Sequence, residues 1–529
     1  MRILAGLTAL TALLLPATAG SAEGGAAQQR GVLEGISGEA LLVRTDSGPV
    51  RGALRDGARF FGGIPYAAPP VGERRWRAPA PVAAWTAPLD AGDFAANCPQ
   101  PRMGGDRDRA PQSEDCLYLN VATPETATAG ARLPVLVVIH GGAYFVGSGR
   151  EPFGAGAPPI VGEGVVLVAP NYRLGRLGFF AHPALSSEAP EATANYWLMD
   201  QVAALSWVRR NIASFGGDPD NVTILGCSAG GSSINALMAA PAARGLFARA
   251  SAHSGGGLFN ANRPLAQAEE QGMAFAGRVG VRGTGAPALA ALRGLAVADI
   301  LKGDSGAPDF GAVVDGHWLP APLAVSFARG AVASVPLLTG STSNEASVFG
   351  LMGFDRATLE QRFHLDFAAL GDAYGRLDAA ELLRQVQTDF IFTAPSMAMT
   401  GLAARAGLPA WSYYFDYVNS ARRRQVPGAG HCEDMRYWFG TPAGASAEDR
   451  EVAETMQAYL LNYLRHGDPA GPGLPPWPKV AAGTAAPLVI DGRFHVAPGF
   501  RARQLQPYYD KWQAETGLSL GFGAAGGRP

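Results

Sequence analysis

The sequence predicts an α/β protein built on a doubly wound sheet, and three observations point there. Short, continuous apolar runs recur, as in Val135-Leu136-Val137-Val138-Ile139 and Val165-Val166-Leu167-Val168-Ala169. Runs of this kind, rich in β-branched residues, form strands buried on both faces. Between them lie stretches with apolar residues at helical spacing. A further apolar run, Val222-Thr223-Ile224-Leu225, leads straight into Gly226-Cys227-Ser228-Ala229-Gly230, the sequence form of a sharp strand-to-helix turn. Buried strands alternating with helices indicate a doubly wound sheet.

The elements follow in order. Residues 1–22 read as a secretory signal: Arg2 supplies the positive start and Ile3 to Leu15 the apolar stretch. Ala17-Thr18-Ala19 or Gly20-Ser21-Ala22 supplies the small-residue cleavage site. A membrane anchor is the alternative, but the run falls well short of the roughly 20 residues needed to span. Residues 23–40, small and polar, predict a flexible leader. Strands are expected near Leu41-Leu42-Val43 and from Phe60 to Ile64, and the proline-rich residues 65–81 predict an irregular surface segment. The strand Val135 to Ile139 ends at His140-Gly141-Gly142. Leu198 to Phe215 predicts a helix with Leu198, Val202, Leu205, Val208 and Ile212 on its apolar side, stopped by Gly216-Gly217. Ser233 to Ala240 can form the helix after the turn. Later strands are expected at Val335 to Leu338 and Trp411 to Phe415. Residues from about 265 to 400 are more helical and are expected to cap the sheet. Residues 41–515 are expected to form one domain and residues 516–529, glycine-rich at their end, a flexible tail.

Composition narrows the partners. With 529 residues and 47% apolar content the chain can bury a large core. Charged residues make up only 17%, the formal net charge is −2, and no basic stripe or acidic run is present. This argues against nucleic acid or a charged membrane surface as the main partner. The four cysteines show no paired CxxC spacing, and no metal or cofactor motif is present; export would make them disulfides instead. Four cysteines allow three pairings. Cys98 and Cys116 are close in sequence, and Cys227 and Cys432 remain. Cys227 precedes Ser228 and Cys432 follows His431, so if the serine and the histidine meet in space, so do their neighbours. Two free buried thiols are the alternative.

A serine hydroxyl is a poor nucleophile at neutral pH and needs a base within hydrogen-bond reach, itself oriented by a third group. Ser228 has the best local context for this chemistry. The helix after it would aim backbone N–H groups at a developing oxyanion. His140-Gly141-Gly142-Ala143 would supply the other donors, because glycine lets the amides of Gly141 and Gly142 turn toward the substrate; the Ala229 N–H adds a third. His431 is the base candidate, C-terminal to the rest, in the chain order Ser…acid…His. His140 is expected to hold its own loop and His253 to line the pocket, with His182, His317, His364, His466 and His495 structural. The acid must fall between residues 228 and 431 near a strand end. Glu345 has that setting, with Asp304, Asp309 and Asp315 as alternatives. Asp315 sits in an Asp-Gly turn, where a structural role is expected.

Several stretches together resemble the type B carboxylesterase and cholinesterase-like family. They include Phe61-Gly62-Gly63-Ile64-Pro65-Tyr66, Pro69-Pro70-Val71-Gly72, Ser113-Glu114-Asp115-Cys116-Leu117-Tyr118-Leu119-Asn120 and Asn171-Tyr172-Arg173-Leu174-Gly175. Asp200-Gln201, Phe215-Gly216-Gly217-Asp218-Pro219 and Asn221-Val222-Thr223-Ile224 extend the match, which runs from about residue 40 to 510. The resemblance implies an α/β-hydrolase fold, a large, mostly parallel central sheet flanked by helices with helical cap insertions. It also implies a Ser228–Glu345–His431 triad, an oxyanion hole at Gly141, Gly142 and Ala229, and a Cys98–Cys116 disulfide.

Departures from the family pattern stand out. Cys227 takes the place usual for Glu, Cys432 the place usual for Gly, and Asn344 and Ala346 replace the common Asp and Gly beside Glu345. Trp197 stands where glycine is common, either reshaping the pocket or packing the interior. The Cys-Ser…His-Cys pairing is similar to that of tannases and feruloyl esterases, where a disulfide joins the catalytic neighbours.

The expected function is a secreted or periplasmic serine esterase acting on a small-molecule ester, possessing no membrane span after signal cleavage. Bulky or phenolic esters are favoured as substrates. The alternatives are a non-catalytic binding protein on the same fold and an acyltransferase using an alcohol acceptor.

Overall fold

The computed structural model describes residues 41–103, 110–154, 157–257, 262–304, 310–351 and 354–520. The expected signal segment and leader, the last nine residues of the tail, and Asp309 lie outside the described residues.

Near the start, β1 (Leu42–Arg44), β2 (Pro49–Arg51) and the later β5 (Leu89–Asp90) form a small three-stranded sheet. Among the described residues the main sheet has eleven strands. They are β3 (Ala53–Arg55), β4 (Ala58–Pro65), β6 (Tyr118–Pro124), β7 (Leu133–Ile139), β8 (Val166–Pro170), β9 (Gly217–Cys227), β10 (Arg249–His253), β13 (Leu337–Thr342), β14 (Ala410–Phe415), β15 (Leu488–Ile490) and β16 (Phe494–Val496). A two-stranded ribbon of β11 (Arg263–Pro264) and β12 (Val313–Val314) lies apart from it. The spatial order is β16-β15-β14-β13-β10-β9-β7-β8-β6-β4-β3. From β15 to β8 every neighbouring pair is parallel. The β6, β4 and β3 end is antiparallel, as is β16.

The apolar runs behave as their composition demands. In β7, Val135, Val137 and Ile139 face one core cluster while Leu136 and Val138 face the other. In β8, Val166 and Val168 face the first and Leu167 and Ala169 the second. Successive side chains leave a strand on opposite faces, so a continuous apolar run feeds two cores at once. Each fully buried Val or Leu contributes about 1.5–3 kcal/mol of apolar burial.

The helix expected from Leu198 spans Tyr196–Asn211 and tightens into a 3₁₀ turn, Ile212–Phe215, before Gly216 takes the left-handed conformation at φ 91°. Gly217 belongs to β9 and not to the stop. The helix Ala229–Ala239 follows the turn at Ser228. Between residues 265 and 405 the described chain is mainly helical, from Leu265–Arg278 to Ala394–Arg405, and includes a π-helical stretch, Asp389–Thr393. Among the described residues no helix is long and apolar enough to cross a membrane.

Because the central strands run parallel, their C-terminal ends share one rim. Ser228, Ser254 and the His140 loop follow such ends directly and Glu345 lies three residues past the end of β13, the position at which open α/β sheets bind ligands.

Candidate active site

Ser228 sits at φ 60°, ψ −126°, a backbone conformation that a non-glycine residue rarely adopts. Holding it there costs about 1–3 kcal/mol. Its N–H donates to the His253 carbonyl at 3.0 Å, extending the β9–β10 ladder one residue beyond the strand. The two flanking glycines are sterically required. A Cβ on Gly226 would stand 2.5 Å from the Gly230 carbonyl carbon, and one on Gly230 would stand 2.1 Å from the Ile139 oxygen. The turn is therefore pressed against the end of β7.

The loop after β7 approaches just as closely. A Cβ on Gly141 would meet the Cys227 oxygen at 2.7 Å and the Ser228 Cβ at 3.3 Å. Gly142 (φ 104°), Ala143 (φ 50°) and Tyr144 (φ 65°) all turn left-handed. The Gly142 carbonyl accepts from the N–H groups of Phe145 and Val146. The amides of Gly141, Gly142, Ala143 and Ala229 have no acceptor among the described residues. Such a cluster can receive a negatively charged oxygen. His140 is committed to the loop itself: its Nδ1–H donates to the Gly141 carbonyl at 2.9 Å, and its ring stacks on Tyr172 at 4.2 Å. The Tyr172 hydroxyl in turn donates to the His140 carbonyl.

The acid and the base meet on the neighbouring loops. Glu345 is fully buried. Its Oε1 accepts from the Thr342 N–H at 2.7 Å and the Ser254 hydroxyl at 2.6 Å, and its Oε2 accepts from Nδ1 of His431. With Nδ1 donating, the imidazole presents Nε2 as a base, and that atom is buried with no partner among the described residues. The two loops are stitched together. Asn344 N–H donates to the Ala429 carbonyl, Ala429 N–H to the Ser343 hydroxyl and His431 N–H to the Ser347 hydroxyl. The structure thus brings Glu345 to His431. Asp304 instead pairs with Arg176, and Asp315 caps the N–H groups of His317, Trp318 and Leu319.

Both disulfides are formed: Cys98 with Cys116 and Cys227 with Cys432. The second joins the last residue of β9 to the residue after His431, with Cα atoms 6.1 Å apart, and its two cysteines are half-buried. Cys432 is itself left-handed at φ 58°. Phe392, from the π-helical stretch, packs on the His431 ring at 4.9 Å.

His253 does not turn to the rim. It is buried, with Nε2 on the Ser251 hydroxyl and Nδ1 on the Tyr413 hydroxyl, above Asp434 and Trp438. His182 accepts from the Ala184 N–H as a helix N-cap, and His364 is the left-handed C-cap of Arg356–Phe363. Trp197 is fully buried and stacks on Phe179 at 5.1 Å beside Tyr144. It packs the interior beneath the Tyr144 end of the amide loop.

Two residues of the constellation escaped sequence reasoning. Ser254 is the second hydrogen-bond donor to Glu345; the four-residue stretch Ala252-His253-Ser254-Gly255 drew attention only for its histidine. Ala143 offers an amide with no acceptor among the described residues, in a left-handed conformation at a position that is not glycine.

The family model described as "Carboxylesterase family" matches residues 39–374 and 376–506. The chain belongs to the carboxylesterase family. Para-nitrobenzyl esterase of Bacillus subtilis (strain 168) is 34% identical over 488 residues, covering 86% of this chain and 96% of its own. Fumonisin B1 esterase of Sphingopyxis macrogoltabida is 33% identical, covering 83% and 84%. A solved PNB esterase structure superimposes with a TM-score of 0.76 at 33% identity, over 89% of this chain and all of that one. The Geobacillus stearothermophilus carboxylesterase gives 0.77 at 31% over the same shares. This carboxylesterase accordingly has the α/β-hydrolase fold and is a carboxylic ester hydrolase of the serine type.

Proposed function

We propose that this carboxylesterase works through an acyl-enzyme on Ser228, with His431 as its general base and acid and Glu345 as the group that orients and charges-matches the imidazole. The observation that carries the proposal is the pairing of a fully buried Glu345 with Nδ1 of His431, which leaves Nε2 without a partner among the described residues, while the Cys227–Cys432 bridge ties the residue after His431 to the residue before Ser228 on its strained turn. In the first half-reaction the Ser228 Oγ attacks the ester carbonyl carbon while its proton passes to His431 Nε2. The negative oxygen is received by the amides of Gly141, Gly142 and Ala229, each worth about 3 kcal/mol to the transition state. Collapse expels the alcohol, which takes the proton from Nε2. A water then attacks the acyl carbon, losing its proton to His431, and collapse releases the acid as Nε2 returns that proton to the Ser228 Oγ. The Cys227–Cys432 bridge fastens the nucleophile's strand to the base's loop.

The substrate is proposed to be a bulky or phenolic ester. Support comes from the aromatic neighbours of His431, with Phe392 on its ring and Phe349 stacked behind Phe392, and from the bridge it shares in pattern with tannases and feruloyl esterases. Initial rates across feruloyl, galloyl, tricarballylic and simple aliphatic esters test this; a preference for short aliphatic esters removes it. Export to an oxidising compartment is supported by the two disulfides and by the N-terminal pattern of residues 1–22. N-terminal sequencing of the secreted or periplasmic protein checks it. The domain itself is taken to span residues 41–515. Ser228→Ala should lower turnover of a p-nitrophenyl ester by about 10⁶-fold, and retention of turnover would overturn the mechanism.

A further inference from the structure

The loop that offers the Gly141 to Ala143 amides is gripped from behind by three side-chain amides, and we infer that Gln100 is a positioning residue for transition-state stabilisation. The inference rests on the proposed role of those amides as oxyanion donors. Gln100 pairs with Gly147 as a strand neighbour would: its Oε1 accepts the Gly147 N–H at 2.9 Å and its Nε2 donates to the Gly147 carbonyl at 2.9 Å. The same Nε2 donates to the Cys98 carbonyl at 3.1 Å. Two residues on, Asn171 Oδ1 accepts the Gly149 N–H at 2.8 Å while its Nδ2 donates to the Ala96 and Cys116 carbonyls. Asn120 Nδ2 donates to the Gly149 carbonyl at 3.0 Å. The stretch 147–149 is thus tied to the loop closed by Cys98–Cys116.

Gly147 is the point of transmission. It sits at φ 116°, and a Cβ there would stand 2.4 Å from His140 Nδ1 and 2.5 Å from the Gly141 oxygen. Gly141 in turn lies against Cys227 and Ser228. A contact chain therefore runs from Gln100 through Gly147 to His140 and Gly141, and ends at the nucleophile. Without its partner, the Gly147 backbone loses two partly buried hydrogen bonds and must move to recover them. Any such movement pushes on the segment that carries the donors. Gln100 itself does not touch the reacting atoms, and a displacement of about 1 Å at the donors is enough to cost about a hundredfold in rate.

The test uses Gln100→Met, which keeps the side chain's length and removes its hydrogen bonds, and Gln100→Glu, which keeps the acceptor for the Gly147 N–H. With p-nitrophenyl acetate, Gln100→Met should lower kcat about tenfold to a hundredfold with KM within twofold, and Gln100→Glu should fall between it and the unaltered enzyme. The affinity of a trifluoromethyl ketone, whose adduct on Ser228 carries an oxyanion, should drop by the same factor as kcat, while an unreactive alcohol competitor keeps its inhibition constant. An unchanged kcat, a loss confined to KM, or failure of both variants to fold would each overturn the inference. Ser228→Ala is run alongside. Retained turnover there sinks the triad reading and the inference together, whereas a dead Ser228→Ala with a fully active Gln100→Met sinks the inference alone.

Discussion

The middle of the central sheet and its C-terminal rim are built from the same strands by opposite rules. Along β7 and β8 every side chain from Val135 to Val137 and from Val166 to Ala169 is fully buried, the apolar residues divide between two cores, and no residue is left-handed. Beyond the strand ends the backbone is strained at Ala143, Tyr144, Ser228, Ser254 and Cys432, His431 Nε2 has no partner among the described residues, and a disulfide crosses from the end of β9 to the loop of His431. The interior spends its residues on cohesion, while the rim holds unfavourable conformations that only such an interior can sustain. Stability and turnover should therefore respond to different substitutions.

The largest separation is expected at the rim. Glu345→Gln leaves the loop's packing in place but removes the charge that fixes the Nδ1–H tautomer of His431, and kcat should fall by about 10⁴-fold with little change in Tm; a fall in Tm without loss of kcat would erase the distinction. The interior should answer in the opposite way. Leu136→Ala should cost about 2–5 kcal/mol in urea unfolding and leave kcat within twofold.

The bridge lies between the two regimes. Its loop of 205 residues corresponds to roughly 5 kcal/mol in the chain-entropy model. Its placement beside Ser228 and His431 predicts that the Cys227→Ser/Cys432→Ser pair loses about tenfold in turnover under conditions where circular dichroism still reports a folded protein. Equal turnover in that variant would make the bridge a fastening for the chain alone. The smallest effect is a gain: Ser228→Gly abolishes activity yet should raise stability by about 1 kcal/mol, read as a rise in the urea midpoint, because glycine accepts the conformation at φ 60° without strain.

Much of the interior was legible because its signals are local. Val135 to Ile139 and Val222 to Leu225 announce buried strands by composition, and the glycines at 226 and 230 announce a turn that other backbone must approach. The short strands β15 and β16 carry no such signal, and only their pairing with β14 and with each other defines them. Side chains that reach across the chain were hidden for the same reason. Ser254 meets Glu345 from 91 positions away, and Gln100 meets Gly147 from 47. The misreading of His253 is a matter of parity. Neighbouring residues at a strand end point to opposite faces, so Ser254 turns to Glu345 while His253 turns under the sheet to Tyr413. The sequence marks the pair but not which of the two faces the rim.

Asn344 and Gly430 form a parallel bridge between the loop of Glu345 and the loop of His431, and two further hydrogen bonds to the Ser343 and Ser347 hydroxyls continue it. Acid and base are therefore one mechanical part. An insertion in either loop displaces both, and a transplant between relatives succeeds only if the two loops travel as a matched set.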